Sequence, residues 1–243
     1  MSDTLLVTGG AGFIGSNFVR YWMRRHPEDR VVVLDALTYA GNLANLADVW
    51  SDPSFRFYPG RIEDSAVVNG VFRCEHPTHV VNFAAESHND RSMLDPTSLI
   101  AANVTGVGVL LGACSVYGIH RFLHVSTDEV YGQITNGTFK EDDPLLPRTP
   151  YAAGKAGGEM QVRAHHIAFG VPTLVTRGSN TFGPYQYPEK ILPFFITRAL
   201  RDKPLPLYGD GQQVRDWLYV EDHCAGIETV LRNGQPGQVY NIG

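Results

Sequence analysis

The chain has 243 residues, of which 43% are hydrophobic and 19% are charged, and its formal net charge is −5 at pH 7. That length is enough for one large domain, or for one domain and part of a second, and the composition is that of a soluble globular protein. The acidic balance offers no basic surface to a nucleic acid, and no apolar stretch approaches the roughly 20 residues of a membrane span. We therefore expect a cytoplasmic protein with neither a nucleic acid nor a membrane as partner.

Short apolar runs alternate with helical patterns along most of the chain. The predicted strands are residues 5–7, 31–34, 55–58, 79–83, 122–125 and 173–175, and the predicted helices are residues 13–25, 64–72, 96–117 and 151–169. Continuous apolar strands separated by helices are typical of a parallel sheet that is covered on both faces. The sequence therefore predicts an α/β fold with a doubly wound parallel sheet of the Rossmann type.

A glycine-rich turn joins the first predicted strand to the first predicted helix. Gly9, Gly12 and Gly15 let the backbone turn tightly, approach a pyrophosphate and pack the helix against the strand. The helix N-terminus adds N–H groups and a partial positive charge for the phosphates. Asp35 ends the second strand, where an acid accepts the ribose hydroxyls of NAD and repels the 2′-phosphate of NADP. We predict NAD as the cofactor, although Arg61 near the adenine end could attract a phosphate.

The character of the chain changes after Arg177. Glycine, proline and tyrosine cluster in residues 183–188, and residues 204–211 are again rich in turn-forming residues. Such segments are loops that build sites rather than sheet. We predict an NAD-binding Rossmann domain over residues 1–177 and a smaller substrate-binding region over residues 178–243, with some strands returning to the sheet. Residues 239–243 read as a strand just before a further turn, so we expect this region to be incomplete at its C-terminal end.

Tyr151 and Lys155 form a pair one turn apart in the helix that opens at Pro150. A neighbouring ammonium and a nicotinamide charge would lower the pKa of the tyrosine and make it a usable base near neutral pH. A Tyr and a Lys at this spacing also arise by chance. Thr127 strengthens the catalytic interpretation, because it ends the preceding strand at the sheet edge where ligands bind in this fold.

Two adjacent carboxylates, Asp128 and Glu129, follow Thr127 directly. Such pairs are most often solvated loop acids, but at a strand end they can act as general acid and general base on one substrate. The pair has a task when water is eliminated, because one carboxyl protonates the leaving hydroxyl and the other removes a carbon-bound proton. Together with the Tyr–Lys pair it indicates an enzyme that oxidises a sugar, eliminates from it and reduces it again.

A set of motifs extends along essentially the whole chain. They are residues 8–15 (TGGAGFIG), 37–42 (LTYAGN), 84–88 (AAESH), 90–92 (DRS), 126–132 (STDEVYG), Tyr151 with Lys155, 183–186 (GPYQ), 188–190 (PEK), 208–211 (YGDG) and 215–217 (RDW). This set resembles that of the dTDP-glucose 4,6-dehydratases, a family within the extended short-chain dehydrogenases/reductases. The first motif marks the superfamily, whereas the threonine–acid–acid run and the Pro-Glu-Lys segment are more specific to the dehydratases.

The resemblance implies a role for each candidate residue. Tyr151 removes the proton of the sugar 4-hydroxyl while NAD accepts hydride from C4, with Thr127 holding that hydroxyl and Lys155 assisting. Glu129 then removes the C5 proton, and Asp128 protonates the departing C6 hydroxyl. The implied cofactor-binding residues are Gly9, Gly12, Phe13, Ile14, Gly15, Asp35, Thr38, Ile62, Ala84, Ala85, Tyr151, Lys155 and Thr181. The implied contacts to a nucleotide-diphosphate sugar are Ser87, Thr127, Asn180, Lys190, Ile191 and Arg215.

Several positions depart from the family pattern. Arg61 stands where an Asp is usual, Asn89 replaces a Val, Gly154 replaces a Ser, and Thr181 with Phe182 replaces an Asn-Tyr pair that helps to hold the nicotinamide half. The residues that transfer protons are all present, which fits a divergent member. Family members also continue for several dozen residues beyond position 243, which again leads us to expect an incomplete substrate lobe.

Other readings of the same motifs remain open. A 4-epimerase, a UDP-glucuronate decarboxylase or a dehydratase for another nucleotide sugar would share the scaffold, and a non-catalytic NAD-binding protein would share the fold. The three cysteines lie far apart without a CxxC pair, so we expect no metal site. The resemblance suggests a homodimer packed through residues 96–117 and 151–169. The small residues at 152–158 could equally pack against the chain's own sheet.

Overall fold

A parallel sheet of seven strands organises the computed structural model, which describes residues 2–87, 96–207 and 209–243. The strand order is β3-β2-β1-β4-β5-β6-β9, and each neighbouring pair is parallel. A small second sheet pairs β7 with β8. The predicted doubly wound α/β class is confirmed. Six motif residues used above lie outside the described residues: His88, Asn89, Asp90, Arg91, Ser92 and Tyr208.

The bounds of the elements follow the predicted pattern closely in the first three quarters of the chain. The strands are β1 Thr4–Thr8, β2 Arg30–Asp35, β3 Phe55–Pro59, β4 His79–Asn82, β5 Arg121–Thr127, β6 Thr173–Gly178, β7 Asn180–Phe182, β8 Trp217–Tyr219 and β9 Val239–Ile242. The helices are α1 Phe13–Arg25, α2 Ser65–Glu75, α3 Pro96–Ile100, α4 Val107–Tyr117, α5 Pro150–Phe169, α6 Ile191–Ala199 and α7 Val220–Asn233.

Apolar side chains on both faces of each central strand explain why the sheet is covered on both sides. In β1, Leu5 and Val7 point into one core, where they meet helices α1 and α7, while Leu6 points into the other core with α2 and α4. All three are fully buried. Because side chains alternate along a strand, a continuous apolar run requires helices on both faces.

The predicted helix over residues 96–117 is interrupted by a π-helical turn, Ala101–Gly106, between α3 and α4. Within that turn the amide of Asn103 pairs with the backbone of Glu86, accepting from its N–H at 2.9 Å and donating to its carbonyl at 3.0 Å. Such turns place side chains that a regular helix would direct elsewhere. The interruption thus braces the segment that follows β4.

The helical stretch Thr97–Tyr117 is also long and apolar enough to cross a membrane by length and composition alone, with a mean hydropathy of 1.9. The expectation that no apolar stretch approaches that length is therefore wrong. Leu110 and Leu111 are fully buried in the core, and 44% of the apolar part of this stretch is buried inside the protein. A core helix covered by other helices has this composition for reasons of packing.

Residues 183–188 and the described part of 204–211 lie outside helices and strands, as expected, whereas helices α6 and α7 were not predicted. Helix α7 packs beside α1 on the main sheet through Val220, Cys224, Ile227 and Leu231, which recur at helical spacing and are fully buried. Strand β9 then joins the sheet beside β6, as predicted for this segment. The division of the chain after Arg177 stays a prediction.

The small residues of α5 pack within the chain. A Cβ atom on Gly157 would lie 2.9 Å from Val104, and one on Gly158 would lie 2.6 Å from the carbonyl oxygen of Asn103. Gly154 is packed as tightly against Leu99. These glycines therefore admit the preceding helical segment close to α5. The packing is intramolecular, but its tightest contacts are with this segment and not with the sheet that the alternative named.

We predict that Gly158→Ala destabilises the protein by about 1–3 kcal/mol, because the added methyl meets a backbone oxygen that has little freedom to move. Gly112→Ala in α4 is the matched control, since the space around Gly112 is open within 4 Å. Its greater helix propensity should stabilise the protein by up to about 1 kcal/mol. Urea unfolding measures both changes, and equal effects of the two substitutions would contradict the packing account.

Candidate active site

The carboxyl ends of β1, β2, β4, β5 and β6 open onto one cleft with a volume of about 360 Å³. Ligands bind at this edge of open α/β sheets. The cleft is lined by nineteen of the sequence-predicted site residues: Gly9, Gly12, Phe13, Ile14, Gly15, Asp35, Thr38, Ile62, Ala84, Ala85, Ser87, Thr127, Glu129, Tyr151, Lys155, Asn180, Thr181, Lys190 and Ile191. The other two, Asp128 and Arg215, are not among the lining residues.

The glycine turn brings the backbone of α1 into the floor of the cleft. Gly9 has a φ of +70°, and a Cβ atom there would lie 2.6 Å from the backbone nitrogen of Ala84. A Cβ on Gly15 would overlap the Gly9 carbonyl. Gly12 forms the N-cap of α1 without a side-chain hydrogen bond to the first turn. The first N–H groups of α1 are thus available to an anion such as a pyrophosphate.

Asp35 lies at the end of β2 beside this turn and is 7% exposed. Its two carboxylate oxygens accept hydrogen bonds from the backbone N–H groups of Ala11 and Leu37, each at 2.8 Å. Burial raises the pKa of Asp35, and these two hydrogen bonds oppose the rise. A carboxylate retains further lone pairs for two ribose hydroxyls. Arg61 donates to Glu63 at 3.1 Å, so its guanidinium is held by a carboxylate.

Helix α5 carries Tyr151 and Lys155 into the cleft from a start that Thr149 caps by accepting the N–H of Ala152 at 3.1 Å. Lys155 is 3% exposed, and its ammonium donates to the Val125 carbonyl of β5 at 2.6 Å. Burial lowers the pKa of Lys155 to about 8, and the carboxylate of Glu159 opposes this shift. The lysine therefore ties α5 to the central strand while it remains titratable near neutral pH.

The electrostatic environment of Tyr151 differs from the expectation. Burial raises the pKa of Tyr151, the carboxylates of Glu129 and Asp128 raise it further, and a hydrogen bond with the Thr127 side chain opposes the rise. In the chain alone this pKa is therefore raised, and Lys155, whose ammonium donates to the Val125 carbonyl, is not among the causes of the shift. The lowering expected from the ammonium together with the nicotinamide charge stays a prediction.

Strand β5 ends at Thr127, and a 3₁₀ turn over Asp128–Tyr131 follows. The Thr127 hydroxyl oxygen caps this turn by accepting the N–H of Glu129 at 3.2 Å, and the hydroxyl donates to Asp128 at 3.3 Å. Burial raises the pKa of Asp128, and so do the neighbouring carboxylates of Glu129 and Asp216. A carboxyl with a raised pKa binds its proton more tightly than an ordinary one, which favours a role as proton donor. Both acids of the pair therefore stand beside Tyr151, although only Glu129 lines the cleft.

Another part of the cleft brings Glu189 and Lys190, from the second half of the chain, together with Ser87 from the first half. Lys190 donates its ammonium to the Ser87 carbonyl at 3.1 Å. The Tyr39 hydroxyl lies 3.4 Å from the Ser87 hydroxyl and donates to Glu189 at 3.4 Å, while its ring meets Tyr187 edge-on. Burial raises the pKa of Tyr39 to about 12. Tyr39 and Glu189 lie within the quoted motifs and Tyr187 lies between two of them, but none of the three was assigned to the site.

Arg215 lies apart from these residues in the exposed segment before β8. Its guanidinium donates to the Val214 carbonyl of its own segment at 2.7 Å. The structure therefore does not bring Arg215 together with Lys190, and its contact with a substrate stays a prediction.

A buried histidine at one end of the cleft is a site residue that the sequence analysis missed. His223 is 2% exposed, its Nδ1 is hydrogen-bonded to the Thr181 hydroxyl at 2.8 Å, and its ring packs on Gly178. Burial lowers its pKa to about 4. Its Nε2 and the Ser179 hydroxyl are buried without a hydrogen-bond partner in the described part of the chain. Recognition of α7 by its apolar spacing would have placed His223 at this end of the sheet.

Unsatisfied buried polar atoms are uncommon in proteins. Here two of them flank the cleft, which also has an open helix N-terminus and a buried carboxylate at the end of β2. A dinucleotide fits these features, with its pyrophosphate on α1, its ribose at Asp35 and its polar far end toward Ser179 and His223. Two groups of side chains that could hold a metal, Asp3 with His79 and His120 and His26 with Glu28 and Asp29, lack cleft-lining members.

We predict that the Lys155 side chain titrates with a midpoint near 8 in side-chain NMR of the free protein. Its folded pKa lies below the ordinary value of 10.5, so between these pH values the unfolded chain binds more protons than the folded one. This residue therefore makes the free energy of unfolding rise with pH across that window. The matched control is Lys155→Arg, which stays charged and removes the rise. An ordinary midpoint, or equal pH dependence in both proteins, would contradict the assignment.

A family model matches residues 5–243, and its description is the NAD dependent epimerase/dehydratase family. The Low-salt glycan biosynthesis protein Agl12 of Haloferax volcanii is 53% identical over 239 residues, which cover 98% of this chain and 76% of that protein. A dTDP-glucose 4,6-dehydratase of Xanthomonas campestris is 50% identical over 250 residues, which cover 99% of this chain and 71% of that protein.

Solved structures agree with the sequence relatives. DesIV of Streptomyces venezuelae, a dTDP-glucose 4,6-dehydratase crystallised with NAD, has a TM-score of 0.96 and 49% identity, covering 99% of this chain and 75% of its own. A UDP-glucose 4-epimerase of Thermotoga maritima has a TM-score of 0.91 at 31% identity, covering 99% of this chain and 76% of its own. The cleft, the glycine turn and these matches lead to one conclusion: the chain belongs to the NAD dependent epimerase/dehydratase family.

Proposed function

We propose that this protein is an NAD-dependent dehydratase that removes water across C5 and C6 of dTDP-glucose and yields the 4-keto-6-deoxy sugar. The observation that carries the proposal is that both carboxylates of the Asp128–Glu129 pair act on Tyr151, and that Glu129 lines the same cleft as Thr127 and Tyr151. Relatives that bear this enzyme's name, from Xanthomonas campestris and Streptomyces griseus, are 50% and 49% identical to the chain. The net reaction is that of a hydro-lyase.

The residues of the first half of the chain hold the cofactor in this proposal. The α1 N-terminus takes the pyrophosphate and Asp35 the adenosine ribose, and the pairing of Arg61 with Glu63 supports NAD over NADP. When bound, NAD accepts hydride from C4 of the sugar and returns it to C6. Thr181, Ser179 and His223 surround the end of the cleft nearest to Lys155 and Tyr151.

Tyr151 is the base that removes the proton of the sugar 4-hydroxyl, and the Thr127 hydroxyl holds the same group by a hydrogen bond. The free phenol holds its proton tightly because burial and two carboxylates raise its pKa. The oxidised nicotinamide ring carries a positive charge, and a positive charge beside the phenol would favour the phenolate. Proton removal by Tyr151 would therefore be linked to the oxidised state of the cofactor. Lys155, held on the Val125 carbonyl, supplies a further positive charge one helical turn away.

Elimination uses the acid pair. A ketone at C4 acidifies the C5 proton, which passes to the Glu129 carboxylate as a C5=C6 double bond forms and the C6–O bond breaks. The departing hydroxyl takes the proton of Asp128 and leaves as water. The raised pKa of Asp128 supports its role as the donor. Glu129 then returns its proton to C5 when hydride reaches C6. Tyr151 still holds the proton of the 4-hydroxyl and Asp128 lacks the one it gave to water, so transfer of one proton from Tyr151 to Asp128, directly or through solvent, restores both residues.

The acid pair also weighs against the alternatives. A 4-epimerase uses a Tyr–Lys pair and needs no second proton donor at C6, although its fold is the same. A UDP-glucuronate decarboxylase and a dehydratase for another nucleotide sugar differ in the substrate that the second half of the cleft selects. A non-catalytic NAD-binding protein has no use for a buried carboxyl with a raised pKa beside Tyr151.

The substrate and assembly assignments extend the same proposal. Ser87, Asn180, Lys190 and Ile191 line the cleft wall that would hold the nucleotide diphosphate, with residues 178–243 as the main substrate-binding region. A homodimer in the cytoplasm follows from the family resemblance. Exposed apolar side chains on α5, namely Met160, Ile167 and Phe169, are compatible with such an interface.

We predict that the protein converts dTDP-glucose to a product lighter by one water, detected by mass spectrometry, with no net consumption of NAD. UDP-glucose is the competing substrate in a parallel reaction. Turnover of UDP-glucose without turnover of dTDP-glucose would overturn the substrate assignment and leave the chemistry standing. Formation of a C4 epimer without loss of water would overturn the dehydratase assignment.

We predict that Glu129→Gln oxidises C4 but loses dehydration by about 10²–10⁴-fold, the usual contribution of a positioned acid or base. The exposed and remote Glu28→Gln is the matched control and should retain the native rate. Proton exchange at C5 is followed with C5-deuterated substrate by NMR. Rapid loss of that deuterium in Glu129→Gln would show that another residue is the base.

A further inference from the structure

A buried ion pair brackets the turn that carries the two catalytic carboxylates. Ser126 precedes this turn and donates its hydroxyl to Glu159 at 2.5 Å. Tyr131 ends the turn and accepts a hydrogen bond from the Arg177 guanidinium at 2.6 Å. Glu159 and Arg177 are bonded to each other, so the turn is held at both ends by one pair. We call these four residues the clamp.

The geometry of the clamp is specific. The Arg177 Nη2 donates to one Glu159 oxygen at 2.7 Å, and Nε donates to both carboxylate oxygens at 3.1 and 3.2 Å. The two side chains are 5% and 2% exposed. The guanidinium also lies 4.6 Å over the ring of Tyr131, which stacks on Phe139 at 4.7 Å. A planar fork with five donors can make all these contacts at once, whereas an ammonium cannot.

The clamp connects three elements that each carry part of the chemistry. Glu159 lies one helical turn beyond Lys155 on α5, and Arg177 lies on β6 directly beside Ser126 of β5 in the sheet register. The hydroxyl of Tyr131 continues the network by donating to Asn241 of β9 at 2.7 Å. The helix of the Tyr–Lys pair and the turn of the acid pair are therefore joined through one ion pair.

The cost of burying charge argues for a role beyond stability. Replacing a buried ion pair with apolar residues of similar volume is often neutral or stabilising, because desolvation offsets the attraction. Here further hydrogen bonds of the pair hold both ends of the turn, because Glu159 accepts from Ser126 and Arg177 donates to Tyr131. Arg177 also donates to the Glu141 carbonyl, which lies beyond the turn. The pair thus determines where the turn lies relative to α5.

We propose that Glu159 and Arg177 are positioning residues for the acid pair. They keep Glu129 directed at C5 and Asp128 at the C6 hydroxyl of the sugar whose 4-hydroxyl Tyr151 deprotonates. This inference rests on the proposed function. Loss of the clamp should slow elimination more than oxidation. Tyr151 and Lys155 keep their own anchors in helix α5 and at the Val125 carbonyl, and Thr127 remains in the ladder opposite Gly178. The Asp128–Tyr131 turn leaves the sheet and depends on the clamp at its far end.

The test uses Tyr131→Phe, which removes one hydrogen-bonding hydroxyl from the clamp and keeps the aromatic ring. Tyr58→Phe is the matched control, because the hydroxyl of Tyr58, on the remote strand β3, also donates to a side-chain oxygen, that of the Glu75 carboxylate at 2.6 Å. Single turnovers of dTDP-glucose are followed by absorbance of the reduced nicotinamide and by loss of water. Tyr131→Phe should slow water loss by about tenfold and leave oxidation within about twofold, so that the reduced nicotinamide accumulates.

Arg177→Lys and Arg177→Met extend the comparison, with thermal unfolding measured for each. We expect Arg177→Lys to retain oxidation and to lose elimination by at least as much as Tyr131→Phe. Equal slowing of both steps, or slowing that follows the melting temperature across all variants including Tyr58→Phe, would overturn the positioning role. An inactive wild-type protein would overturn the proposed function itself, and the inference with it. An active wild type with unselective variants would overturn only the inference.

Discussion

A row of buried polar side chains sets the alignment of the central strands on which the site depends. Thr8, Asn82 and His124 stand opposite one another in β1, β4 and β5 and are fully buried. The Thr8 hydroxyl donates to Asn82 at 2.5 Å, and the Asn82 amide donates to His124 Nδ1 at 3.0 Å. A slip of one residue would bury each group without its partner, at a cost of about 1–3 kcal/mol per group. The apolar residues around them tolerate a shifted register far better.

That alignment explains how residues distant in sequence converge. Directly after the polar row, β1 continues into the glycine turn and β4 into the segment of Ala84 and Ala85. Strand β5 extends three residues further, so that Thr127 and the acid pair rise above the cleft floor. Burial shifts three of the titratable groups toward their neutral forms: the pKa of Lys155 falls to about 8, and those of Asp128 and Tyr151 rise. A charged ligand beside such groups changes the same balance, because an opposite charge favours the ionised form.

The predictable parts of this molecule are those that local patterns encode. The apolar runs of β1, β2 and β5, the glycine turn and the Pro150 start of α5 were found because their signals lie within a few neighbouring residues. The π-helical turn escaped because its cause is a tertiary contact, the pairing of Asn103 with the backbone of Glu86. Helix α7 was not predicted, although its apolar residues have a clear helical spacing, because it follows turn-rich segments. The pKa of Tyr151 is set by its burial and by the carboxylates of Glu129 and Asp128, which the Tyr–Lys spacing does not reveal.

The departures from the family pattern acquire physical reasons in the structure. Gly154 stands where a Ser is usual, and a Cβ there would overlap the end of the Leu99 side chain, which would have to shift to admit it. Thr181 replaces an Asn, yet its hydroxyl donates to the Ser179 carbonyl at 3.2 Å and meets His223 Nδ1 at 2.8 Å. When that hydroxyl donates to Ser179, the proton of the neutral imidazole lies on Nδ1 and its Nε2 lone pair stays bare. With Thr181 at this position the end of the cleft stays polar, and the Nε2 lone pair of His223 is the atom that would accept a hydrogen bond from a ligand.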